Sequence, residues 1–219
     1  MSQDSENRTG ISLGTKKVYG GLILSLFVFA IAATLSVAFV YESQTLWYKA
    51  GIDKSILRTG QMAGLLALLF IFIQVLMGVR VKLLEEIFGV ALVMRGHRAN
   101  GLIIGSLAIA HVGLVLVTEG ITNLPIGWKF WPEMVGAVLL LLIVGITVSS
   151  QFRQQFGFSY TRWRFVHRIL GYLALALVSV HVLFVSDSFT RDVPKTALLV
   201  VLAVVVGWVV QTKRAAMRK

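Results

Sequence analysis

Cysteine is absent from this 219-residue chain. Its absence excludes disulfides, thiolate catalysis, cysteine-ligated iron–sulfur clusters and thioether-attached haem, and is neutral on redox compartment. Charge is nearly as scarce. Asp, Glu, Lys and Arg make up 14% of the chain, against about 25% in an ordinary soluble domain, so a water-soluble globule of this composition is excluded. No polar stretch is long enough for a separate globular domain, and no G-x-G-x-x-G dinucleotide fingerprint follows a predicted strand.

What is present is hydrophobic, 57% of all residues. Six runs carry no Lys, Arg, Asp or Glu: Val18–Tyr41, Thr59–Val79, Ala99–Thr118, Met134–Phe152, Ile169–Ser186 and Thr196–Thr212. Each is long enough to cross a bilayer, which takes roughly 20 apolar residues in a helix and about 17 at the least. The expected fold is an all-α membrane protein, a six-transmembrane-helix bundle. It divides into a polar N-terminal tail over 1–17, the transmembrane domain over 18–212, and a basic tail over 213–219. The first run also has the look of a signal peptide, with Lys16-Lys17 ahead of it, but it is longer than the roughly 7–15 apolar residues of a signal core.

The net charge of +11 points to membrane orientation rather than to nucleic acid, because cytoplasmic loops of such proteins collect Lys and Arg. With six spans and a cytoplasmic N-terminus, fifteen of the 21 basic residues fall inside; Lys49, Lys54, Arg58, Lys129, Arg191 and Lys195 fall outside. Both termini are therefore expected in the cytoplasm, and the setting is the inner membrane of a bacterial or archaeal cell. Trp128 and Trp131 mark an outer aromatic belt, Tyr160 and Trp163 an inner one. Residues 80–95 carry Leu83, Leu84, Ile87, Phe88 and Leu92 at helical spacing, expected as an amphipathic helix on the inner surface. The inner loop 151–168 interleaves aromatics with arginines; beside two spans, this reads as an interfacial anchor rather than a single-strand nucleic-acid binder.

All four histidines lie in the third and fifth spans, and both spans fit His-Arg-x-x-Gly-x9-His: His97, Arg98, Gly101 and His111 in one, His167, Arg168, Gly171 and His181 in the other. Fourteen residues of helix rise about 21 Å and make nearly four full turns, so each span presents two imidazoles on one face. Both spans run in the same direction, and His97 matches His167 in depth while His111 matches His181. Two imidazoles at each of two levels suit two stacked haems, His97 and His167 ligating the inner iron, His111 and His181 the outer. Gly101 and Gly171 would let a porphyrin approach the backbone; Arg98 and Arg168 would pair with inner propionates. A lone histidine, glycine or arginine in a span is more often a packing or anchoring residue, and the duplicated spacing is what lifts these above that reading. Gln61 and Gln74 fit interhelical hydrogen bonding better than quinone binding.

In these histidines, their helix placement and the six-span plan, the chain resembles the ferric reductase-like transmembrane domain superfamily over roughly Val18 to Thr212. The resemblance implies two b-type haems carrying electrons across the membrane. Members usually continue into flavin- and nicotinamide-binding modules; such a module is not expected within this chain, so flavin would enter only through a partner. A smaller relative, the haem-binding membrane subunit serving a periplasmic methionine sulfoxide reductase, makes a stand-alone component plausible. The expected function is transmembrane electron transfer. The donor would be a cytoplasmic flavoprotein or membrane quinol, and the outside acceptor ferric iron, dioxygen or a periplasmic redox protein. No catalytic residue is assigned, and any oxidoreductase role would need a separate electron donor. The alternatives are a cytochrome b anchor subunit of a quinol-linked complex and a histidine-relay proton channel or transporter. The relay is disfavoured because it needs closely spaced groups.

Overall fold

The computed structural model describes residues 12–120 and 124–217. Eight α-helices follow in order: α1 (Leu13–Val40), α2 (Gln44–Trp47), α3 (Gly51–Gly78), α4 (Lys82–Phe88), α5 (Val90–Glu119), α6 (Trp131–Gln151), α7 (Tyr160–Val185) and α8 (Asp192–Met217). Six of them, α1, α3, α5, α6, α7 and α8, are long and apolar enough to span a bilayer, as the six uncharged runs require. Most of the expected N-terminal tail lies outside the described residues.

The helices begin and end where local chemistry dictates. Ser12 caps α1, its hydroxyl accepting from the Thr15 amide at 3.2 Å. Pro132 sits in the first turn of α6, where a missing N–H costs nothing. Gly89 takes a positive φ of 79° and separates α4 from α5. The expected surface helix over 80–95 is thus shorter, with Leu92 belonging to α5, while Ile87 and Phe88 pack at Gly20 of α1. Lys54 and Arg58, expected outside the spans, lie in the first turns of α3.

The core sits between α3, α5, α6, α7 and α8: Leu68, Ile71, Phe72 and Val75 meet Ile104, Ala108, Leu139, Ile143, Leu175, Val178 and Val205. α3 is the central helix, 39% of its span buried against 6% for α1. The outward-facing Leu22, Leu26, Phe29, Leu141 and Val200 are exposed, as lipid contact demands. α5 packs along α3 and α7 along α6, whereas α5 and α7 make little backbone contact with each other. Two helix pairs therefore stand side by side, each holding one histidine helix.

Candidate functional site

The structure brings the histidines together in the expected pairs. The rings of His97 and His167 are 6.1 Å apart, nearly edge to face at 69°. His111 and His181 lie fourteen residues further along each helix. All four side chains are half-buried. α5 and α7 are therefore parallel, with the histidine levels in register.

Each ring is held by the helix that packs beside its own. His111 Nδ1 donates to the Gly60 carbonyl of α3 at 2.8 Å, and His181 Nδ1 to the Pro132 carbonyl of α6 at 2.9 Å, each read as the Nδ1–H tautomer. A helix carbonyl already accepts from the amide four residues on and is shielded by that residue's side chain, because Cα–Cβ bonds tilt towards the N-terminus. The second lone pair is most open where that residue is glycine. Gly64 follows Gly60 by four, and a Cβ there would lie 2.8 Å from His111 Nδ1. Gly136 follows Pro132 by four, and a Cβ there would clash with the edge of the His181 ring. With Nδ1 committed in this way, Nε2 is left as the free acceptor of each outer imidazole.

The equivalent positions lie fourteen residues along both partner helices, at the His97–His167 level. On α3, Gln74 and Gly78 stand where Gly60 and Gly64 stand. His97 lies against Gly78, 3.5 Å from a Cβ built there, but its Nδ1 is buried without a partner. Its Nε2 instead faces the Gln74 amide at 3.3 Å. That amide also donates to the His97 carbonyl at 3.0 Å, and Asn100 donates to Gln74 Oε1 at 2.7 Å and to the Phe70 carbonyl at 3.0 Å. On α6, Ile146 and Ser150 stand where Pro132 and Gly136 stand. Ser150 donates to the Ile146 carbonyl at 2.6 Å and its oxygen lies 3.4 Å from His167 Nδ1. Trp163, one turn before His167, stacks on that ring at 4.7 Å, and Tyr160 stacks on Trp163 at 6.4 Å.

The remaining expected site residues are less engaged. Arg98 and Arg168 are exposed at the same end of the bundle as the His97–His167 pair. Gly171 has open space where a Cβ would project, whereas a Cβ at Gly101 would come 3.2 Å from Gln74 Nε2. Gln61 donates to Ser43 at 2.8 Å, so both glutamines serve hydrogen bonding between segments. Arg58 pairs with Glu42 at 2.7 Å. Lys54 joins at 2.8 Å; these bonds, that of Lys54 foremost, hold the Glu42 carboxyl below its ordinary range against a partial desolvation.

Sequence reasoning missed Gly60, Gly64, Pro132, Gly136 and Ser150. The signal was present: Gly64 and Gly78, and Gly136 and Ser150, repeat the fourteen-residue histidine spacing.

Two neutral imidazoles per level fit a metal that brings its own equatorial donors, as haem iron does. Among the described residues no group of three or more His, Cys, Asp or Glu is placed to hold a bare metal ion. The parted α5 and α7, the free Nε2 atoms of His111 and His181, and the orphaned His97 Nδ1 all fit such a group.

No curated protein and no solved structure matches the chain. The family described as ferric reductase like transmembrane component matches residues 63–178, more than half of the chain, a segment that includes His97, His111 and His167 and stops just short of His181. This membership points to electron transfer across the membrane. The chain belongs to the ferric reductase-like transmembrane component family.

Proposed function

We propose that this integral membrane protein is a two-haem transmembrane electron conduit, working as the membrane component of a ferric reductase-like or periplasmic reductase system. His97 and His167 hold the inner haem b and His111 and His181 the outer one. The observation that carries the reading is the pair of outer imidazoles, each fixed through Nδ1 by a backbone carbonyl of a neighbouring helix. Such a bond sets the tautomer and raises the basicity of the other ring nitrogen, as metal-ligating histidines require. Haem supplies one-electron ferric–ferrous chemistry when bound.

The chain contributes the rest. Two imidazoles at each level would hold the iron from protein ligands alone, which would favour electron transfer over chemistry at the metal. The apolar faces of α5, α6 and α7 keep water out. Gly171 has the open surroundings a porphyrin edge needs, and Arg98 and Arg168 supply cations for inner carboxylates. Electrons enter at the basic end from a cytoplasmic flavoprotein or a membrane quinol, and leave beyond His111 and His181 to ferric iron, dioxygen or a periplasmic redox protein. Both termini lie in the cytoplasm.

Haem quantification on the purified protein tests this. Two haem b per chain are expected, falling to one in His97→Ala and to one in His111→Ala. One haem per wild-type chain would overturn the two-level arrangement, and a chain without a b-type spectrum would overturn the whole reading.

A further inference from the structure

Of the four equivalent positions, 64, 78, 136 and 150, three are glycine, each with a histidine ring against it: Gly64, Gly78 and Gly136. The fourth is Ser150. Its hydroxyl hydrogen is committed to the Ile146 carbonyl at 2.6 Å, the back-bond that serines make to the carbonyl four residues earlier in a helix. Its oxygen is therefore the acceptor facing His167 Nδ1, at 3.4 Å. The equivalent bonds of the other level are 2.8 Å and 2.9 Å and go straight to carbonyls. On α6, then, one histidine is held directly and the other through an inserted hydroxyl.

We infer that Ser150 is a positioning residue for His167 that weakens the acceptor on its Nδ1–H and so sets the inner haem apart in reduction potential from the outer. This rests on the two-haem reading. A strong acceptor on Nδ1–H makes Nε2 a better electron donor, which stabilises ferric over ferrous iron and lowers the midpoint. A hydroxyl at 3.4 Å does this less than a carbonyl at 2.9 Å. The residue thus acts on the inner level alone, from outside the ligand set.

Potentiometric titration of the two haems in three purified variants tests this. Ser150→Ala removes the acceptor while its methyl still shields the Ile146 carbonyl, so the inner midpoint should rise. Ser150→Gly uncovers that carbonyl and recreates the Gly136 arrangement, so the inner midpoint should fall. Each change should reach threefold in the ferric–ferrous equilibrium, about 28 mV for one electron, with the outer midpoint unmoved. Ser150→Thr keeps the hydroxyl and should restore the wild-type value. Shifts of the same sign in the Ala and Gly variants, or none, with both haems retained would overturn the role of Ser150 and leave the two-haem reading standing. Should the Ala variant fail to assemble, the fall in Gly and the recovery in Thr carry the same sign test. Wild-type protein without haem would overturn both.

Discussion

The two outer histidines are held by a rule that operates between single residues. A carbonyl inside a helix is most open from the side when the residue four positions later has no side chain over it, and Gly60/Gly64 and Pro132/Gly136 meet that condition. Gly136→Ala places a methyl against the edge of the His181 ring, closer than the two can pack; the protein should retain its inner haem and lose the outer, read as a fall from two haems to one per chain. Gly145→Ala on the same helix, where a Cβ meets nothing within 4 Å, should keep both. Equal haem content in the two variants would remove the carbonyl bond from the account. The histidines were legible in the sequence because their spacing repeats in two spans. Their carbonyl partners were not, for two physical reasons. A glycine in a span is most often a close-packing residue, and a backbone acceptor leaves no mark on the residue that carries it. Ser150 also breaks the glycine echo at the position where it would have been complete.

At the scale of elements, α3 does the most to place the site. It supplies the Gly60 carbonyl to His111, and Gln74 and Gly78 to the surroundings of His97. Inside a membrane, helices gain little from apolar burial against one another, and close packing with interhelical hydrogen bonds decides which pairs form. Asn100 joins α5 to α3 through the Phe70 carbonyl and Gln74. Asn100→Leu should therefore destabilise the bundle by about 0.6–1.7 kcal/mol, measured by unfolding in mixed detergent, and should shift the inner haem's spectrum before the outer's. The ends of the helices carry their own electrostatics. Glu42 binds Lys54 and Arg58 and is held below its ordinary carboxylate range. A lowered folded pKa means that this contribution is present above the unfolded value of about 4.3 and is lost as pH falls through the folded one. Glu42→Gln should thus lower thermal stability near neutral pH and flatten its decline on acidification, a difference that should vanish below the folded pKa. The helical spans were readable from missing charge, since each must be uncharged to cross. The surface segments were not, because Gly89 and the early start of α3 are fixed by local backbone geometry and packing rather than by hydropathy.

For the whole molecule, two helix pairs side by side present two histidine levels across one bilayer, and the basic residues gather beside one level. Arg95, Arg98, Arg153, Arg162, Arg164 and Arg168 share the end that holds His97 and His167, and the proposed orientation turns that end to the cytoplasm. The lack of native cysteine makes this directly testable. A single thiol at Tyr48→Cys, 87% exposed beside α2, should react with an impermeant reagent added outside intact cells. A thiol at Gln154→Cys, exposed in the loop before α7, should react only after the membrane is opened. The reverse pattern would invert the orientation and with it the direction of electron flow proposed above. The central claim is that electrons cross the bilayer through the two levels. Haem-loaded protein in sealed liposomes, with dithionite trapped inside and ferricyanide outside, measures this directly. Ferricyanide should be reduced rapidly by the wild type and at least tenfold more slowly by His111→Ala, a loss of about 1.4 kcal/mol in barrier terms. Reduction no faster than in protein-free liposomes would contradict the account.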